Sequence, residues 1–136
     1  MHAIYGGTAT MYYYKKAVDM GFNEAQQRLR SALQQEGFGV LTEIDVQATL
    51  KNKLNVAWEP YLILGACNPP FAHKALEAEH DLGLLLPCNT IVYSKDGKVS
   101  VAAVLPTVQL GKVGNPALMP IAQQIEEKLK RVIDAV

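Results

Sequence analysis

Apolar positions along the chain recur with two periods. Between residues 20 and 39 they fall at Ala25, Leu29, Ala32 and Leu33, one stripe of a helix with 3.6 residues per turn. Asn23 is the expected N-cap, Gln26 three residues on returns its hydrogen bond, and Gly37 supplies the left-handed residue that ends the last turn. From 39 to 46 the period changes to two, with Val40, Thr42, Ile44 and Val46 alternating against Leu41, Glu43 and Asp45, which predicts a strand. Asp45 then caps a short helix carrying Val46, Leu50 and Leu54 on one side. An earlier strand is expected at "YYYKKAV", residues 12–18, where the lysines suit a solvated face or an edge.

Pro60 stops the chain, and "YLILGAC", residues 61–67, is apolar without alternation. A run of that length buried on both faces predicts the central strand. Asn68 followed by Pro69 and Pro70 marks a helix start, with Asn as cap and proline where its missing N–H costs nothing. After the short amphipathic "FAHKALEA", Leu86 before Pro87 is pushed out of the helical region and returns the chain to the sheet. "NTIVYS" and "VSVAAVL" flank Asp96-Gly97, a strong two-residue hairpin signal. A glycine-containing loop over 106–115 leads to Asn115-Pro116, a second cap and proline, and a last helix with Leu118, Ile121, Ala122, Ile125, Leu129, Val132, Ile133 and Val136 on one face. Strands and helices in this order, with a hairpin, predict an α+β domain with helices on one face of a mostly antiparallel sheet.

Length and charge narrow the function classes. The 136 residues suffice for one domain with one core. Thirteen basic against thirteen acidic residues leave no net field, which argues against nucleic acid and anionic membranes as partners. The apolar runs are too short to span a bilayer. The opening "MHAIYGGTAT" lacks the basic and apolar regions of a secretory signal, so a cytoplasmic location is expected. Met11 stands directly before the first strand, so residues 1–10 read as an extension or arm and 11–136 as the domain.

Candidate chemistry gathers at a repeated dipeptide, Cys67-Asn68 and Cys88-Asn89. Cys67 ends a strand two residues before a helix, where backbone N–H groups favour a thiolate, so it is the candidate nucleophile. The competing reading makes both cysteines compact, buried apolar residues. The four residues together form a candidate ligand pocket, with the asparagines as amide donors or as local caps. A zinc site lacks paired Cys-x-x-Cys spacing, and His73, with His80 behind it, completes a metal set only weakly. "GACNPP" and "LGKVGN" match neither dinucleotide nor phosphate-loop patterns, which counts against a parallel doubly wound sheet and leaves the cofactor unknown. Residues 68–87 have the length for a parallel crossover or an antiparallel return; the α+β reading favours the return, which lets the thiols share a ligand. Trp58 beside a proline is a candidate surface anchor.

"QEGFGVLTEIDV", "YLILGACNPPFAHKALEAEHDLGLLLPCNTIVY" and "NPALMPIAQQIEEKL" occur in that order, and together they resemble domain-of-unknown-function family 302, small bacterial and archaeal proteins, over roughly residues 11–136. The resemblance implies an α+β fold with a TATA-binding-protein-like arrangement, a homodimer, and no established activity. Two readings follow. One is a homodimer binding a small molecule or soft metal near the two Cys-Asn pairs. The other is an interaction dimer with both cysteines in the core.

Overall fold

Asp96 and Gly97 close a two-residue hairpin in the computed structural model, which describes residues 6–136. Their φ angles of 53° and 78° are both left-handed, as a type I′ turn requires, and Lys95 lies opposite Lys98. The chain runs β1 (Thr8–Thr10), β2 (Tyr13–Val18), α1 (Phe22–Gln35), β3 (Gly39–Asp45), α2 (Val46–Leu54), β4 (Tyr61–Cys67), α3 (Pro69–Ala78) and a 3₁₀ turn (His80–Leu85). It continues with β5 (Cys88–Lys95), β6 (Lys98–Val104), α4 (Pro106–Gly111) and α5 (Leu118–Ala135). The strands form one antiparallel sheet in the order β1-β2-β6-β5-β4-β3, the α+β class expected from the pattern.

One face of this sheet carries the core. Leu62, Leu64 and Ala66 of β4, Cys88 and Val92 of β5, and Val99, Val101 and Ala103 of β6 meet Ala25, Leu29 and Leu33 of α1 and Ile125, Leu129 and Ile133 of α5. A second cluster of Ala75, Leu82, Leu110, Leu118 and Ala122 joins α3, the 3₁₀ turn and α4 to the start of α5. α1 ends as expected. Gly37, at φ 85°, lets the Phe38 N–H reach the Leu33 carbonyl at 2.9 Å and its own N–H reach Gln34 at 3.1 Å. Asp45 caps α2, accepting from the Ala48 N–H at 2.9 Å.

Several local expectations are corrected. α1 starts from an extended Gly21, so Asn23 lies inside the first turn and its oxygen accepts from the Gln26 amide at 3.2 Å instead of capping. β4 is fifth of six strands, not central; β6 and β5 hold the middle. The 106–115 loop contains α4, whose Thr107 donates from its N–H and its hydroxyl to Glu126 at 3.0 and 2.7 Å. α5 begins two residues beyond the Asn115-Pro116 pair; Asn115 accepts from the Ala117 N–H and donates to the Ala78 carbonyl, tying α5 to the end of α3. Of residues 1–10, the first five lie outside the described residues, and residues 8–10 form β1 against Tyr13, Tyr14 and Lys15. Among the described residues no helix is long and apolar enough to cross a membrane.

Candidate functional site

The two cysteines lie on neighbouring antiparallel strands, and side-chain alternation separates them. Ala66 is the residue opposite Cys88, and both point into the helix-covered core. Cys67, one residue further, therefore points to the other face. Burial pushes the Cys88 thiol up to about 11, with a smaller push from nearby Cys67, and burial also raises the half-buried Cys67. Neither environment favours a thiolate at neutral pH.

The asparagines part in the same way. Asn68 is 8% exposed, and its amide donates to the Glu36 carbonyl at 3.1 Å; it closes the end of α1 and makes no side-chain cap for α3. Asn89 is exposed on the face away from the helices. His73 stands on the exposed side of α3, 3.6 Å from Glu77. Among the described residues no group of three His, Cys, Asp or Glu side chains is placed to hold a metal ion. The return is antiparallel, as expected, and alternation puts Cys67 and Asn89 on the open face and Cys88 on the helix-covered face, with the two thiols still near enough for Cys67 to raise Cys88.

What the register does bring together is the sheet face without a helical layer. Reading across β2, β6, β5 and β4, one row is Lys15, Ala102, Ile91 and Ile63, and the next is Ala17, Ser100, Tyr93 and Tyr61. On the other side Tyr13 lies opposite Val104, and Asn89 lies opposite Gly65. Small side chains from β6 make a floor between larger ones, and the result is a groove of about 810 Å³. The Tyr61 and Tyr93 rings stack at 5.4 Å with 13° between their planes, while Tyr12 and Tyr13 meet edge to face at 5.0 Å. Such pairs present both the negative faces and the positive edges of aromatic rings.

Trp58 is held at the rim by its neighbours. Gln47 donates to the Trp58 carbonyl at 2.9 Å, the Ser94 N–H donates to Pro60 at 2.9 Å, and the Glu59 carboxylate accepts from the Asp96 N–H at 2.9 and 3.0 Å. The connector after α2 is thereby tied to the hairpin, leaving the indole half-exposed at 52%. The Lys15 ammonium sits 5.3 Å from the centre of the Tyr93 ring. Its pKa is raised, chiefly by the Tyr93 phenol and against the effect of burial, with Tyr13 and Tyr61 adding through space. Burial raises the Tyr61 phenol.

Of the residues expected at a site, only Asn89 and Trp58 line this groove. The signal that marks the rest is in β6, where Val99 and Val101 alternate with Ser100 and Ala102: a strand whose second face is small rather than polar leaves a hollow. The apolar run of β4 has the same origin, since Tyr61 and Ile63 are half-buried on the open face.

The family described as "Domain of unknown function DUF302" matches residues 14–136. The chain belongs to it. This DUF302 chain is also similar to a crystal structure of an uncharacterized conserved DUF302 protein from Bacillus stearothermophilus, 36% identical, with a TM-score of 0.86. The match covers 93% of this chain and 98% of that one. No curated protein matches the chain. Within the DUF302 span lie β2 from Tyr14 onward, the hairpin and the Trp58 connector; Tyr12 and Tyr13 fall just before it.

Proposed function

We propose that this DUF302 chain is a binding domain for a small, largely apolar molecule, held in the groove on the open face of the sheet. The observation that carries this reading is the groove's construction: a floor of small side chains, walls of stacked and edge-on tyrosines, and Trp58 fixed at the rim. Its volume of about 810 Å³ lies within the roughly 300–1,000 Å³ typical of small-molecule sites. Asn89 supplies a polar handle within it. Cys67 lies outside the groove lining, and no reaction is assigned to it. A cytoplasmic setting fits two unpaired thiols.

The test is a fragment screen by thermal shift, repeated on variants. A ligand at a hundred times its Kd adds about 2.7 kcal/mol to stability, well within detection. Fragments that stabilise the native chain should lose their effect in Trp58→Ala and Asn89→Ala and keep it in Cys67→Ala. Retained stabilisation in both groove variants, with loss in Cys67→Ala, would move the site to the cysteine.

A second reading, homodimerisation, is favoured by a separate observation. α2 has no buried residue, and residues 41–58 expose Leu41, Ile44, Leu54 and Val56 at 66, 47, 67 and 40%. A helix with an unburied apolar side needs a cover, and a second copy of the chain provides one. Light scattering at low micromolar concentration should give twice the chain mass, falling to one chain in Leu41→Glu/Leu54→Glu. A single-chain mass for the native protein rules the dimer out.

A further inference from the structure

We propose that the molecule held in the groove is a planar aromatic anion, its ring against the tyrosine and tryptophan walls and its charge on Lys15. This rests on the groove being the binding site and adds the chemical class of the occupant.

Lys15 projects from β2 onto the open face, beside Ala102 of β6 and diagonally across from Tyr93. Among the described residues it forms no ion pair with a carboxylate, and the groups that act on it most strongly are the phenols of Tyr93, Tyr13 and Tyr61. The carboxylates of the groove stand elsewhere. Glu59 is occupied by the Asp96 N–H, and Asp96 sits with Lys95 at the exposed hairpin tip. Neighbouring Lys16 is different: it points to the helix side and donates to the Asp134 carbonyl at the end of α5. So Lys15 is a protonated amine in an aromatic hollow, with its charge answered by the ring and phenol of Tyr93 and the neighbouring tyrosines rather than by a carboxylate. A cation over a ring at an exposed site contributes less than a hydrogen bond to a charged group. A carboxylate or sulfonate therefore improves on what the protein itself supplies. The rest of the groove asks for a flat ring, since stacked and edge-on aromatics offer little to a branched aliphatic chain beyond contact area.

Trp58 is the only tryptophan in the chain and stands at the rim, so its emission reports occupancy directly. The experiment titrates the purified chain with 2-naphthoate and, separately, with 2-naphthalenemethanol, the same ring without the charge. Lys15→Met and Lys15→Arg are titrated in parallel after their melting transitions are shown to match the native chain. The expected result is saturable change with naphthoate, binding about tenfold tighter than the alcohol, as one charge-assisted contact implies. Lys15→Met should bring naphthoate down to the alcohol's affinity without altering the alcohol, and Lys15→Arg should retain most of the preference. Equal affinities for the two probes, unmoved by Lys15→Met, overturn the anion while leaving the groove as the site. No response of Trp58 or of melting temperature to either probe overturns the groove as well.

Discussion

At the scale of single residues, the chemistry that looked shared is divided by one step of strand alternation. The repeated Cys-Asn pair is visible in the sequence, and so is its position at strand ends, but which face each side chain takes depends on a register that only the folded sheet sets. Cys88 went into the core, and this has a measurable consequence. Its thiol is raised from an ordinary 9.0 to about 11 by burial, so between those values the unfolded chain has released a proton that the folded chain keeps. The stability linked to this group is complete below about pH 9 and is lost as pH rises towards 11, by up to about 1.4 kcal/mol per unit. Tyr14 and Tyr61, also raised by burial, tilt the curve the same way, so the comparison is with Cys88→Ala. Denaturant unfolding from pH 8 to 11 should show a shallower fall in that variant; parallel curves would mean that Cys88 is not buried as described. Asn68 carries a structural load of its own. Asn68→Ala leaves the Glu36 carbonyl without its amide partner and should cost about 1–3 kcal/mol in the same assay, with binding in the groove unchanged.

At the scale of elements, local signals succeeded where the residues close their own hydrogen bonds. The hairpin at Asp96-Gly97, the Gly37 stop and the Asp45 cap are each decided within a few residues, and each stands in the structure. Starts set by longer-range contacts were not legible. Asn115 looks like the cap of α5 because Asn-Pro has that composition, yet its amide also serves the Ala78 carbonyl at the end of α3, and the helix begins beyond it. Asn68 is the same case, recruited by α1 in place of α3. The α1 stop is directly testable. Gly37→Ala forces a side chain into φ 85° and brings a Cβ to 3.3 Å from the Asn68 amide, so a loss of about 1–2 kcal/mol is expected. An unchanged denaturation midpoint would contradict the left-handed stop.

At the scale of the whole molecule, the class of the fold and the helix-covered face were legible, and the open face was not. An apolar run such as 61–67 signals burial on both sides, and sequence alone does not distinguish cover by a helix from a hollow awaiting a ligand or a second chain. The N-terminal residues belong to the same question of what completes the sheet. β1 adds an edge strand, and Gly7 donates to the Tyr14 hydroxyl and to Asp134 at 3.0 and 2.6 Å, while the Tyr14 hydroxyl itself reaches Asp134 at 2.8 Å. Because that last bond and the whole core survive truncation, a chain lacking residues 1–10 should still unfold cooperatively, a few degrees lower; disappearance of the transition would make the arm part of the core. The central claim is that the open face is where this protein binds. Amide chemical-shift mapping tests it most directly, recorded on the ¹⁵N-labelled full chain with and without a fragment that raises its melting temperature. The expected shifts cluster on Lys15, Trp58, Asn89, Ile91 and Tyr93. Shifts confined to Cys67, α3 or the helix-covered face would contradict the account.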